Sequence, residues 1–157
     1  MFDALKSLFS ADTPEAAEKG EFSLDDKRLC EAALMFHVIA VDGHIKENER
    51  SRMGEVLMEQ YDLTSDEIET LFIAAEKADH EAVDLYRFTS QLKKDLDRDQ
   101  RIAIIERMWE MVFADGKLHE FEDNVVWRVA QLLEVETQDR IAMKQRVRGR
   151  LSLSIIE

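Results

Sequence analysis

The chain has 157 residues, 45% hydrophobic and 8% aromatic, with 34 acids against 21 bases for a formal charge of −13. Five glycines and one proline give too little turn punctuation for an all-β sandwich or barrel. The negative charge argues against nucleic acid as a partner, because affinity there comes mostly from neutralising phosphates.

A single domain of this length buries roughly two-thirds of the surface its unfolded chain exposes. Cys30 is the lone cysteine, which excludes an intramolecular disulfide and a thiolate zinc cluster. It falls in the apolar run from Leu29 to Val41 and reads as a small buried side chain. No stretch approaches the roughly 20 apolar residues of a membrane span. The opening MFDALKSLF is too short and too acidic for a secretory signal, so the expected location is cytoplasmic.

In chain order, Phe2, Leu5, Leu8 and Phe9 fall on one side of a short amphipathic helix. Residues 10–21, with the sole proline Pro14 and Gly20, read as a linker, so residues 1–21 form one unit and 22–157 the helical domain. Two fates are open to the opening helix: packing on the bundle, or docking on a partner or membrane surface.

From Ser23 onward helix signals recur. Ser23 with Asp26 approximates a capping box before a helix running to about Val41. Thr64 with Glu67 has the full spacing before a helix ending near Ala78, and Asp97 with Gln100 has it before a helix that carries Ile102, Ile105, Met108, Trp109 and Val112. Thr137 is placed to cap a last helix toward Arg148. Helices over Glu47–Tyr61, Ala82–Leu96 and Glu120–Leu133 complete the set. The expected fold is all-α, a compact pseudo-symmetric bundle of about seven helices.

The symmetry comes from a repeat. Shifted by 73 residues, Met35–Ile68 lies over Met108–Ile141 without a gap, and nine of 34 positions are identical. They include Asp42/Asp115, Gly43/Gly116, Glu47/Glu120, Glu49/Glu122 and Thr64/Thr137. Apolar periodicities drift out of step between Val56 and Thr64. Each half reads as helix, tight turn, helix, helix, with Ala82–Leu96 joining the two.

At the heart of each half lie VDGHIKENE (Val41–Glu49) and ADGKLHEFE (Ala114–Glu122). Gly43 and Gly116 end a long apolar helix, where glycine supplies a left-handed conformation at low cost. Ile45 and Leu118 are expected to point back to the core. Asp42 and Asp115 sit at the unfavourable negative end of a helix and so call for a partner. The simplest partner is the set of N–H groups opening the next helix, with Glu49 and Glu122 as capping-box acids.

The second reading is a divalent cation held where the turns meet, by Asp42, Glu49, Asp115 and Glu122, with His44, Glu47, His119 and Glu120 nearby. Asp-Gly-x-Ile-x-x-x-Glu coincides with the second half of an EF-hand loop, but ligand positions one and three would be Val38 and Ala40, or Met111 and Phe113. An EF-hand is rejected.

Catalytic motifs fail. His80-Glu81-x-x-Asp84 and His119-Glu120-x-x-Asp123 carry Asp in place of the second histidine of HExxH. No Glu-x-x-His pair supports a di-iron bundle, and no glycine-rich phosphate loop occurs. His37 reads as a hydrogen-bonded core residue, and Trp109 and Trp127 as core. No acid, base and nucleophile set assembles, so no enzymatic activity is expected.

Two charged stretches stand out. Residues 42–69 hold nine acids and three bases, a patch suited to a cationic partner. Arg140, Lys144, Arg146, Arg148 and Arg150 have no acid between them, which suits a helix C-terminus or an anionic contact.

The duplicated Ala/Val-Asp-Gly-x-Ile/Leu-x-x-x-Glu turn in an acidic helical chain resembles the bacterial tellurite-resistance TerB family over about Ser23–Arg148. The resemblance implies a helical bundle without established enzymatic activity and a link to tellurite or other toxic stress. It also implies roles in metal sensing or in assembly at the membrane. The matching turn residues are Asp42, Gly43, Ile45 and Glu49, then Asp115, Gly116, Leu118 and Glu122. Lys46 and His119 depart from the family, where a small hydroxyl residue is common. The expected role is a non-catalytic interaction or regulatory protein with a protein partner, or alternatively a divalent-metal sensor.

Overall fold

A computed structural model describes residues 22–40, 45–115 and 120–156, without the side chains of Asp115 and of residues 151–156. The expected opening helix and linker of residues 1–21 lie outside the described residues. Seven α-helices and no strand occur among the described residues. They are α1 (Lys27–Ile39), α2 (Glu47–Tyr61), α3 (Ser65–Glu81), α4 (Tyr86–Asp95), α5 (Arg98–Val112), α6 (Glu120–Leu132) and α7 (Thr137–Ile156). A 3-10 turn, Phe113–Asp115, follows α5.

Two of the expected capping boxes close fully. The Thr64 hydroxyl accepts from the Glu67 N–H at 3.2 Å while the Glu67 carboxylate accepts from the Thr64 N–H at 2.8 Å. Asp97 and Gln100 exchange the same bonds at 2.9 Å each. The first start differs from its expectation. Asp26 is itself the cap, accepting from the Arg28 N–H at 2.9 Å, and Ser23 offers its carbonyl to the Asp26 N–H.

Burial raises the Asp26 pKa, but the Arg28 guanidinium and N–H outweigh it and hold the carboxyl below its ordinary value. The last helix also differs. Thr137 is its first helical residue, the Glu136 carbonyl takes the Arg140 N–H, and the helix continues to Ile156 rather than stopping near Arg148. The joining helix is shorter than Ala82–Leu96 because the Asp84 carboxylate accepts the Tyr86 N–H and starts it there.

The two long apolar helices, α1 and α5, form the centre. Ten of the thirteen residues of α1 are buried, and α1 touches α2, α3, α4, α5 and α6. The halves interlock reciprocally, α1 against α6 and α5 against α2. Phe36 and Trp109 stand at the same place in the two halves, both almost wholly buried. Each such burial contributes about 2–3 kcal/mol.

The repeat is real but contains one slip. At a shift of 73 residues the buried positions of α2, Glu49, Met53, Val56 and Leu57, coincide with Glu122, Val126, Val129 and Ala130 of α6. Beyond that helix the shift becomes 72. Asp62 and Glu134 are the left-handed non-glycine residues among those described, and Leu63 and Val135 return the matching bonds to the Met58 and Ala130 carbonyls. Buried Leu71 and Ala75 then coincide with Met143 and Val147. The last turn of α6 is one residue short. The Thr64/Thr137 identity of the gapless alignment is therefore out of register; Thr64 corresponds to Glu136.

Candidate functional site

Among the sequence-predicted site residues, Glu49 and Glu122 show the clearest placement. Both lie in the first turn of the second helix of their half, and both side chains are buried, beside exposed Glu47 and Glu120. Two residues apart on a helix is about 200°, so the inner and outer acids of each turn face opposite ways. The Lys46 side chain makes no cap hydrogen bond to α2, as its chemistry leads one to expect. Asp115 ends the 3-10 turn, which packs against α2 of the other half. Asp42, Gly43, His44, Gly116, Leu118 and His119 lie outside the described residues.

Ile45 does not return to the core as expected. It is 37% exposed and lines a hollow of about 260 Å³ with Phe36, Ala40, Glu76, Asp79 and His80. Val38, Met111 and Phe113, at positions where EF-hand ligands would sit, are buried apolar core. No cluster of three metal-capable side chains occurs among the described residues.

Histidine and tryptophan placements are mixed. His37 is hydrogen-bonded, Nδ1 to Asp79 Oδ1 at 2.9 Å, but its side chain is two-fifths exposed rather than core. Trp109 is core. Trp127 is not, with 42% exposure on the outer side of α6. Cys30 is buried with its Sγ 3.4 Å from the Leu24 carbonyl oxygen, and burial pushes its thiol up to about 12.

Four of the five bases in the run on α7 have partners. Arg146 and Arg150 pair with Glu106 at 3.6 and 2.8 Å, and Lys144 pairs with Asp123 at 3.0 Å and caps the Trp109 ring. Arg148 lies over Phe113. These bases sit within the helix rather than at its C-terminus, so the dipole argument does not apply to them.

A buried charge cluster escaped the sequence reading. Glu31, wholly buried on α1, takes a forked pair of bonds from Arg107 of α5 at 2.6 and 2.9 Å, and a third from the Tyr61 hydroxyl at 2.5 Å. For Arg107, burial lowers the pKa, but Glu31 outweighs it and the guanidinium is held above its ordinary value. Burial, then the Glu31 charge, pushes the Tyr61 hydroxyl well up. Glu31 and Arg107 carried one signal, a charge interrupting an apolar helix face in each half.

The halves differ in how they neutralise acids. In the second half Glu134 pairs with Lys93 of α4 and Asp139 with Arg98. Their counterparts in the first half, Asp62 and Glu67, have no ion pair among the described residues, and neither do neighbouring Glu59, Asp66 and Glu69, all exposed. Glu67 is engaged in its capping box. The acids at the corner between α2 and α3 are left to solvent.

The family Tellurite resistance protein TerB matches residues 28–145. The chain belongs to the TerB family. The match begins at the head of α1 and ends in α7, so it takes in both halves of this TerB chain and both Asp-Gly turns. A Porphyromonas gingivalis W83 protein of unknown function shares the fold, at TM-score 0.59 and 16% identity, covering 78% of this chain and 90% of that one. A search of curated proteins finds no match. No helix among the described residues of this TerB chain is long and apolar enough to cross a membrane.

Proposed function

We propose that this TerB domain is a non-catalytic interaction module, serving tellurite or general stress resistance by docking a cationic protein surface on the acidic corner between α2 and α3. The observation that carries this reading is the unequal treatment of equivalent acids. Lys93 and Arg98 neutralise Glu134 and Asp139, whereas Asp62 and its exposed neighbours Glu59, Asp66 and Glu69 have no counter-ion among the described residues. Lys93 on α4 models what a basic partner would do for Asp62. Such contacts favour fast, salt-sensitive association.

The test is affinity capture from stressed cells at rising ionic strength, wild type beside Glu59→Gln/Asp62→Asn/Asp66→Asn/Glu69→Gln. A partner captured by wild type, weakened by salt and lost with the variant supports the reading. A partner retained equally by both would contradict it.

A second reading, a divalent cation at the paired turns, draws on the burial of Glu49 and Glu122 at matching places. Calorimetry with calcium, magnesium, manganese and zinc tests it. Saturable heat that Asp42→Asn/Asp115→Asn abolishes supports the metal, and no heat with any of them removes it.

A further inference from the structure

The two halves treat the groove between their first and third helices differently. In the second half, Arg146 and Arg150 of α7 reach Glu106 of α5 and span it with ion pairs. At the equivalent places the first half has Ala74, Ala78 and Ala33. What results is an apolar groove of about 470 Å³, lined by Phe22, Leu24, Leu29, Ile73, Ala74 and Ala78 and rimmed by Lys77 and Glu81. A second hollow of about 360 Å³ continues it past Leu24 and Ala78 to Val83. Ile73 is 69% exposed and Val83 fully so, among the largest apolar exposures of the described chain.

An exposed apolar groove rimmed by charged residues is a place where a further segment can pack. Phe22, the first described residue, is part of its wall, so the described chain starts at the groove and residues 1–21 join it there.

We propose that residues 1–9 lie in this groove as an amphipathic helix, with Phe2, Leu5, Leu8 and Phe9 on Leu24, Ile73, Ala74 and Ala78. The dimensions agree. The groove follows α3 from Thr70 to Glu81, about 17 Å of helix, and a nine-residue helix is about 13 Å long. The linker of residues 10–21 has a root-mean-square span of about 20 Å and would hold the segment at an effective concentration on the order of millimolar. Charges agree as well. Asp3 and Lys6 are one turn apart on the segment, and Lys77 and Glu81 one turn apart on the rim, so each can meet its opposite.

A nitroxide on Ser7→Cys, on the polar side of the segment, tests the proposal in the full chain. Cys30 stays unlabelled because it is buried. The expected result is strong broadening of the amide signals of Thr70–Ala78 and Val83, independent of protein concentration. Adding Ile73→Asp, which alters an exposed position and spares the core, should abolish that broadening.

Four outcomes, the first two read from the same spectra, overturn the proposal. Those two are no broadening in the groove, and broadening that Ile73→Asp leaves unchanged. Another is broadening carried wholly by mixed samples of labelled and isotope-enriched unlabelled chains, which would make the occupant a second copy. The last is a segment that orders only on vesicles of mixed zwitterionic and anionic lipid.

Discussion

Glu31 and Arg107 meet 2.6 Å apart across the join between the two halves, at positions whose repeat counterparts are Ile104 and Leu34. The duplication supplies an apolar pair; this chain has a buried ion pair instead, at one of the two places. A buried pair is weak evidence for stability, since desolvation offsets attraction, but removing one member leaves an uncompensated charge. Arg107→Leu alone should therefore destabilise by about 3–5 kcal/mol in urea unfolding. Glu31→Ile/Arg107→Leu/Tyr61→Phe, which restores the other half's residues at 31 and 107 and removes the hydroxyl left without its acceptor, should cost far less than the sum of its single changes. Additive losses would show that the cluster is worth more than its apolar equivalent.

Asp26 predicts a pH dependence with a definite sign. Its folded pKa lies below the ordinary value, so its contribution is present above about pH 4 and is lost as pH falls through the folded value. Asp26→Asn keeps a good cap but loses the charge on Arg28. Wild type should exceed this variant by a constant margin above about pH 5, and the margin should vanish in acid. Asp26→Ala should cost about 1 kcal/mol at neutral pH. Denaturant midpoints from pH 2 to 7 measure both.

Cys30 should be inert while the fold is intact. Its thiol is buried and pushed up to about 12, so thiolate is scarce at pH 8. Reaction with an aromatic disulfide reagent should be slow in buffer and fast in denaturant, tracking unfolding. Rapid native labelling would mean that the Leu24–Cys30 region opens locally, which bears directly on the neighbouring groove.

Much of this fold was legible because helix starts are local chemistry. Thr64 with Glu67 and Asp97 with Gln100 need only three-residue spacing, and both boxes form. The duplication was legible too, through recurring Asp-Gly turns and apolar matches. The slip from 73 to 72 was not, because a chance Thr64/Thr137 identity kept the gapless alignment attractive. The drift of apolar phase after Val56 was its physical trace.

Trp127 and Ile45 were misplaced because a large apolar residue beside other apolar residues carries no mark of which way the helix turns it. Glu31 with Arg107 could not be paired from sequence, since 76 residues separate them. The α7 bases were readable as charge, but their acids, Glu106 and Asp123, come from other helices.

Asp62 and its exposed acidic neighbours have no counter-ion among the described residues, whereas Glu134, the counterpart of Asp62, is neutralised by Lys93. The most direct measurement of what this difference does is partner affinity, against ionic strength, for two matched variants. One is Glu59→Gln/Asp62→Asn/Asp66→Asn/Glu69→Gln, and the other Glu134→Gln/Asp139→Asn. Loss of binding and of its salt dependence in the first, with wild-type binding in the second, is the predicted result. Equal binding by both, or loss confined to the second, would contradict the account.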